Sequence, residues 1–550
     1  IQKEQSILEA VAYRDTWGKK TDSYLHMIYE RLTLMRDLLK DSGVIWVHCD
    51  WRMNFRLRML LDEIFGQGTL INEVIWRRKQ AAAWSSKMFG VTNDTLLWYS
   101  KSGDYPFTPE YTKDDENTQK YIKERFVYDD GDGRNYMKSP LVNPLNRPNL
   151  RYEFRGVKPP ATGWLYSLQR MEQMYIKNEL VMPSTPNGRI YRKIFLDKYQ
   201  GQPIQNIWTD IPIVNPMAIE RTGYDTQKPE ALLKRIINSC TSEGGLVADF
   251  FCGSGTTMAT AEKLGNRWIG VDLGRYAIHV SRKRLIQVQR ELHAAGKPYR
   301  SFDVYNLGRY ERQWWQLERL KGADGEHRRV VLKFYKAAPL DNPPNPFLHG
   351  KKGGAYVHVD QIDSIFSESE LRAVAEAARF AGGHELHCLA WEFEMELALK
   401  KQAIEAQSGL SIRLKYIPRE IMEPNRTECQ FFEAGYLEAK PVRKGNKVDV
   451  ELVHFTPALA EAPEAEIAAL RERAVKSPFD FIDFWAVDFE WQDGKPFEHH
   501  WQDFRTRKGR SLKKRSDLGW EYQGKGKHQI CAKVIDVFGV DTTTVIQTET

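Results

Sequence analysis

Cysteine is scarce in this 550-residue chain: six residues, at positions 49, 240, 252, 388, 429 and 531, with no Cys-x-x-Cys pair among them. So sparse a set excludes a disulfide framework and points to a reducing, cytoplasmic setting. No run approaches the roughly 18 consecutive apolar residues of a membrane span, and the first residues show no signal-peptide pattern. Neither a membrane protein nor a secreted scaffold fits. Strong net charge is lacking too, because the chain carries only +7 and the stretch from Phe504 to Lys527 accounts for all of it. Internal repeats are absent. What the chain does have is an apolar share of 42 %, enough for sizeable cores, and an aromatic share of 12 %, high enough to serve stacking as well as packing. Its length calls for more than one domain.

Between Ser23 and Leu39 the apolar residues Leu25, Ile28, Leu32, Met35 and Leu39 recur at helical spacing. Gly43 breaks that pattern, and Val44-Ile45-Trp46-Val47 reads as a strand. Phe55, Leu57, Leu60, Leu61 and Ile64 mark a second helix stopped by Gly66, and Ile71 to Trp76 a second strand. Such alternation predicts a doubly wound α/β sheet. It lapses from Arg77 to Thr222, where Gly, Asp, Asn and Pro clusters among many Tyr, Trp, Arg and Lys residues suggest an inserted domain. It resumes with a helix over Pro229–Cys240, a strand at Leu246–Phe250, a helix over Thr256–Leu264, a strand at Trp268–Asp272 and a long helix from Arg275 to Ala294. Further strands are expected at Val330–Tyr335, Ala355–Val359 and His387–Trp391. Ala458–Val475 reads as a helical linker, and the tail from Asp480 as β-rich, with a hairpin turn at Asp493-Gly494.

The most specific stretch is Asp249-Phe250-Phe251-Cys252-Gly253-Ser254-Gly255-Thr256-Thr257, which follows a strand and opens a helix. Gly253 and Gly255 let the backbone turn tightly and approach a ligand, with N–H groups at a helix N-terminus. Asp272 ends the next strand, where an open α/β sheet places a carboxylate for ribose hydroxyls. A dinucleotide fingerprint would need a third small residue where Met258 stands, so an adenosine ligand without a pyrophosphate fits better.

These residues resemble motif I of the amino DNA methyltransferases, which methylate exocyclic nitrogens of adenine or cytosine. Thr226-Gln227-Lys228-Pro229-Glu230 resembles their motif X and Gly270-Val271-Asp272 their motif II. Residues 43–66, from Gly-Val-Ile-Trp-Val-His-Cys-Asp to Asp62-Glu63-Ile64-Phe65-Gly66, resemble the modification subunits of type III restriction systems. The order of these blocks is that of the β class. The resemblance covers about residues 10–300. It implies a Rossmann-like, S-adenosylmethionine-dependent methyltransferase sheet: residues 1–76 the catalytic half, 77–222 a target-recognition insert and 223–300 the cofactor-binding half. A C-terminal α/β region (301–457), a helical linker (458–479) and a β-rich basic tail (480–550) would follow. Phe251, Gly253 and Gly255 would border S-adenosylmethionine, Asp249, Thr256 and Thr257 would sit near its methionine end, Lys228 and Pro229 would close that end, and Asp272 would take the ribose hydroxyls. Arg77, Arg78, Lys79 and Lys158 in the insert, with Arg507 and Lys508 in the tail, are candidate phosphate contacts. The target base would be flipped out of duplex DNA.

One family feature is missing. The catalytic tetrad, an Asp, Asn or Ser followed by Pro-Pro and an aromatic, should precede the first helix, yet residues 1–22 contain no proline. Asn342-Pro343-Pro344-Asn345 offers no ring, and Lys158-Pro159-Pro160-Ala161 neither acceptor nor ring. The simplest account is an N-terminally truncated chain, expected to bind cofactor and DNA and to methylate nothing alone. Asp50, at a strand end, is the catalytic-half residue that could act through another group or cap the next helix. His48-Cys49-Asp50 is too small a set for a metal. Asp480 with Asp493-Gly494-Lys495 superficially resembles a nuclease's carboxylate–lysine metal site, though Asp-Gly is more simply a turn. The reading is a site-specific DNA methyltransferase of a restriction–modification system, acting on adenine N6 before cytosine N4. Its candidate partners are double-stranded DNA, a restriction subunit and a second copy of the chain. The rivals are a catalytically incomplete DNA-binding module and, further off, an NAD-type oxidoreductase.

Overall fold

The computed structural model describes Thr21 to Glu549 apart from residues 80–88, 114–115, 321–323, 395–396, 423–427, 430, 458–476, 493–494, 507–510 and 538. The linker expected at Ala458–Val475 and the turn at Asp493-Gly494 therefore lie outside the described residues. The chain divides into two compact units, one of Leu32–Ile213 with Lys234–Ser242, the other of the residues through Arg31, Val214–Leu233 and Glu243–Thr550. Among the described residues no helix is long and apolar enough to cross a membrane.

The first unit contains most of helix α1 (Thr21–Leu38), then β1 (Val44–Cys49), α2 (Asn54–Phe65), β2 (Leu70–Arg77) and β3 (Asn93–Ser100). Gly66 ends α2 at φ +97°, a conformation that suits glycine. β1 and β2 run parallel, as a strand–helix–strand crossover requires, but β3 lies between them and antiparallel to both. The inserted domain expected from Arg77 onward thus begins by returning a strand to the sheet. Leu96, Leu97, Trp98 and Tyr99 are all buried there, an unbroken apolar run of the kind a strand covered on both faces needs. Leu57, Leu61 and Phe65 of α2 cover one face, and Tyr99 donates a hydrogen bond to Asp62 at 2.6 Å. On the other face the rings of Trp46 and Trp98 stack at 4.6 Å.

The insert then builds its own small layer. Its elements are β4 (Tyr111–Thr112), α3 (Glu116–Arg125), β5 (Tyr128–Asp129), β6 (Asn135–Pro140), α4 (Leu168–Ile176), β7 (Leu180–Val181), β8 (Tyr191–Phe195) and β9 (Gln202–Pro203). β5-β6-β8-β7 form an antiparallel sheet over a core of Leu141, Phe154, Val157, Trp164, Met171, Met174, Leu180 and Ile190. β10 (Ile207–Trp208) returns to pair parallel with β2, and α5 (Glu230–Cys240) follows.

In the second unit β11 (Leu246–Asp249), α6 (Thr256–Lys263), β12 (Arg267–Gly270) and α7 (Arg275–Ala294) follow in order, with β11 and β12 parallel. The strands β1 to β3 with β10 and the strands β11 and β12 thus fall in two sheets, one in each unit, among the described residues.

Downstream come α8 (Gly308–Arg319), α9 (Asp324–Tyr335), β13 (Ala338–Pro339), β14 (Gly350–Lys352), β15 (Ala355–Val359), α10 (Glu368–Phe380), β16 (Glu385–Ala390), α11 (Leu397–Ser408), β17 (Ser411–Tyr416) and β18 (Phe432–Glu433). β13 to β18 form one sheet in chain order, with β15, β16 and β17 parallel. The strand expected at Val330–Tyr335 is the end of helix α9 instead. Its β-branched pair favours a strand locally, but His327, Val331 and Tyr335, four residues apart, are each 1 % exposed or less and form one helical stripe. Tertiary burial overrides the local preference.

The tail holds β19 (Tyr436–Lys444), β20 (Lys447–Thr456), β21 (Ile482–Asp488), β22 (Trp501–Phe504), β23 (Trp520–Glu521), β24 (Lys527–Asp536) and β25 (Asp541–Glu549). Leu437, Val448, Val450 and Leu452 share a core with Trp485, Val487 and Ile530, so this layer runs across the boundary drawn at 457–480. The opposite side chains of β21, Phe484 and Ala486, pack with Ile286 of α7. Asp483 accepts from His279 at 2.8 Å and from Lys283 at 2.6 Å, both also on α7.

Candidate functional site

β11 delivers Asp249, and the turn that follows brings the chain into α6. Gly253 and Gly255 adopt φ of +47° and +68°, a left-handed backbone that side chains disfavour. A Cβ at Gly255 would stand 2.7 Å from Ser281 Oγ, so the turn meets α7 with no room for a side chain between them. At Gly253 a Cβ would meet the Tyr224 ring at 3.1 Å. Tyr224 in turn stacks on Tyr276 of α7, with centroids 5.9 Å apart.

Two carboxylates fix this turn. Asp249 accepts from the Phe251 N–H at 3.1 Å and from the Thr257 hydroxyl at 2.6 Å. Asp272 accepts from Gly253 N–H through Oδ2 at 2.9 Å and from Gly274 N–H through Oδ1 at 2.8 Å. Burial pushes the Asp272 carboxyl above the usual carboxylate range, against the pull of those N–H bonds. An ionised carboxylate has about four acceptor sites, so Asp272 keeps capacity for further donors. Phe251 and Leu273 leave apolar surface open beside it, being 51 % and 50 % exposed.

Behind the turn, Arg284 donates to Thr256 Oγ1 at 2.7 Å and to Glu230 at 2.8 Å, and Ser281 donates to Gly253 O at 2.9 Å. Thr256 Oγ1 also donates to Lys228 O at 3.2 Å. These bonds join residues 226–230 to residues 249–257. Burial would raise Glu230, but its bonds to Lys263 and Arg284 hold its carboxyl below the usual range. The Lys228 ammonium donates to Thr226 O at 2.9 Å, and Pro229 is buried. Burial pushes the Cys252 thiol up to about 12, as suits a side chain that only packs. Lys228, Pro229, Asp249, Phe251, Gly253, Gly255, Thr256, Thr257 and Asp272 are thus brought together. Sequence reasoning missed Ser281 and Arg284. Their signal was available: a serine and an arginine three residues apart on a helix whose neighbouring positions Ala277, Leu285 and Val288 are core.

The other unit places the remaining candidates. Asp50 accepts from Arg52 N–H at 2.9 Å and from its guanidinium. Burial works against ionisation of Asp50, yet those arginine bonds hold its carboxyl below the usual range. The residue preceding α2 is Met53, with no side-chain cap, so Asp50 does not cap that helix directly. His48 Nε2 bonds Asp94 at 3.1 Å, and Arg78 pairs with the same carboxylate at 3.0 Å. Arg78 is therefore engaged, whereas Arg77, Lys79 and Lys158 are exposed. Arg507 and Lys508 lie outside the described residues. Asn342-Pro343-Pro344-Asn345 forms an exposed turn between β13 and β14, in which Asn345 Oδ1 accepts from Phe347 N–H at 3.0 Å. Asp480 accepts from Ser477 N–H at 3.1 Å in a capping box, a structural use of the carboxylate proposed for a nuclease.

A family model described as "DNA methylase" matches residues 4–283. The type II methyltransferase M.EcaI of Enterobacter cloacae is 32 % identical over 269 residues, 48 % of this chain and 57 % of that protein. The Mod subunit of the type III restriction-modification enzyme StyLTI of Salmonella typhimurium is 28 % identical over 318 residues, 52 % of this chain and 48 % of its own length. The chain thus spans about half the length of these relatives. Among solved structures, PvuII DNA methyltransferase (cytosine-N4-specific) is similar at 13 % identity and a TM-score of 0.27, over 50 % of this chain and 80 % of that one. With its glycine turn, its two strand-end carboxylates and a family match across half its length, the chain belongs to the DNA methylase family.

Proposed function

We propose that the chain serves a site-specific DNA methyltransferase of a restriction–modification system, with S-adenosylmethionine as methyl donor. The single observation that carries the reading is the Asp249–Asp272 turn. The turn leaves apolar surface of Phe251 and Leu273 open at the start of α6, and the buried Asp272 carboxylate retains acceptor capacity for a ribose diol. Asp272 takes the ribose hydroxyls, Asp249, Thr256 and Thr257 sit near the methionine end, Lys228-Pro229 closes that end, and Phe251, Gly253 and Gly255 border the donor. When bound, the donor supplies an electrophilic methyl on a sulfonium. An exocyclic amino nitrogen, adenine N6 before cytosine N4, would take that methyl in line as the thioether leaves, its proton passing to water. The base is flipped to meet it. No cysteine nucleophile is needed, in keeping with the buried Cys49 and Cys252 thiols, both pushed up to about 12 by burial. The insert between β2 and α5 reads the DNA target, and a restriction subunit is the partner class.

A second reading is a cofactor- and DNA-binding module that does not complete the reaction. Labelled S-adenosylmethionine and duplex DNA separate the two. Label recovered in N6-methyladenine or N4-methylcytosine supports the complete enzyme and refutes the module. Binding of both ligands without label supports the module. Binding of neither overturns both.

A further inference from the structure

In the insert, β6 and β8 pair so that Tyr136 stands opposite Phe195, Lys138 opposite Lys193 and Pro140 opposite Tyr191. Directly opposed residues of antiparallel strands share a face. Tyr128 of β5, opposite Tyr136, joins the same face. The other face belongs to the insert's core, because Leu141 and Ile190 continue the alternation of Ser139 and Arg192 and are buried in it. Tyr128, Tyr136, Tyr191, Phe195, Lys138 and Lys193 are therefore turned away from that core.

Two lysines directly opposed in a sheet repel one another, and a fold tolerates the pair where something compensates. Part of the compensation is aromatic: the Lys138 ammonium lies 3.8 Å from the Tyr128 ring centroid and that of Lys193 5.2 Å from Tyr136. Lys193 also donates to Asn178 at 3.1 Å. Neither ammonium has a carboxylate within ion-pair distance among the described residues. Some other cations of this unit are neutralised by carboxylates: Arg134 pairs with Asp197 at 2.8 Å, Arg155 with Glu172 at 2.7 Å and Arg235 with Asp210 at 2.5 Å. Charge left uncompensated at one point of a face, on a ring-floored surface, is what an anionic backbone neutralises.

Resting on the methyltransferase reading above, we propose that this face of the β5-β6-β8-β7 sheet is where the insert holds duplex DNA, with Lys138 and Lys193 each on a backbone phosphate. The lysines position the duplex and do not choose its sequence, because phosphates carry no base identity.

The test is fluorescence anisotropy of a labelled 30-bp duplex with the full chain, over a salt series, beside Lys138→Ala/Lys193→Ala and Lys138→Arg/Lys193→Arg. Loss of two phosphate contacts should weaken binding about tenfold or more at 0.1 M salt and flatten the log–log salt slope by about 2. The arginine pair should bind as the wild type does. Circular dichroism and the thermal transition of each variant report whether the fold survives. Unchanged affinity and slope in a folded alanine variant overturns the proposal and leaves the methyltransferase reading standing. A wild-type chain that binds S-adenosylmethionine but no duplex overturns both the proposal and the DNA-target reading.

Discussion

Two parts of the larger unit end parallel strands in acidic residues, and they use them differently. At the ends of β11 and β12, Asp249 and Asp272 hold a turn of two left-handed glycines, and Phe251 and Leu273 remain exposed beside it. Past the ends of β15 and β16 the space is filled. Asp360, 3 % exposed, accepts from Ser364 at 2.5 Å, Trp391 donates to His327 at 3.0 Å, and Arg312 pairs with Glu392. Both places satisfy the rule that open α/β sheets bind ligands at the carboxyl ends of their strands. Only the first is a glycine turn with apolar surface left open beside it. Topology nominates a site, and what packs at the strand ends decides whether a ligand can enter it.

The sharpest way to break that contrast is to remove the brace. Arg284→Met would leave the half-buried Glu230 with only Lys263 as ion-pair partner, and should cost about 3 kcal/mol of stability by chemical denaturation. Next comes Gly255→Ala, whose Cβ would meet Ser281 at 2.7 Å on a backbone at φ +68°. It should destabilise by about 2 kcal/mol and lose S-adenosylmethionine binding by more than about 100-fold in calorimetry.

In the filled region the sign reverses. Burial pushes Asp360 up from 3.8 to about 6. Between those values the native state holds a proton that the unfolded chain has released, so the contribution of Asp360 to stability falls as pH rises through that window and stays low above it. Asp360→Asn should therefore raise stability at pH 7 by about 2 kcal/mol, allowing for the altered Ser364 bond, and remove that slope from the denaturation profile. The smallest effect belongs to Gly354→Ala, in the turn between β14 and β15. With nothing within 4 Å of its added Cβ, it should shift stability by no more than about 0.5 kcal/mol.

The same contrast explains what could be read ahead of the structure. From Leu246 to Ala294 each strand and helix follows its neighbour, so periodicity and glycine spacing suffice, and the expected ends match within a few residues. β3 escaped because its partners, β1 and β2, both precede it, and no local pattern says that a chain will turn back between two strands already laid down. α9 was mistaken for a strand because Val330-Val331 favours one, while its helical stripe is revealed only by the core against it. Alternation along a strand commonly leaves one face to solvent. Yet Phe484 and Ala486 meet α7 while Trp485 and Val487 meet the other tail layer. At the site, the residues that shape the turn were legible as a motif. Ser281 and Arg284, which hold it from behind, showed only as polar residues among the core positions of α7, and what they brace is a fact of packing. The like-charged pair Lys138 and Lys193 likewise becomes visible only once the register of β6 and β8 is fixed.

Calorimetric titration of S-adenosylmethionine into the wild-type chain, Asp272→Ala and Asp360→Asn, side by side, tests the central claim most directly. The account predicts one-to-one binding by the wild type and by Asp360→Asn, and loss of binding by a folded Asp272→Ala. Equal binding by all three, or loss only in Asp360→Asn, would contradict it.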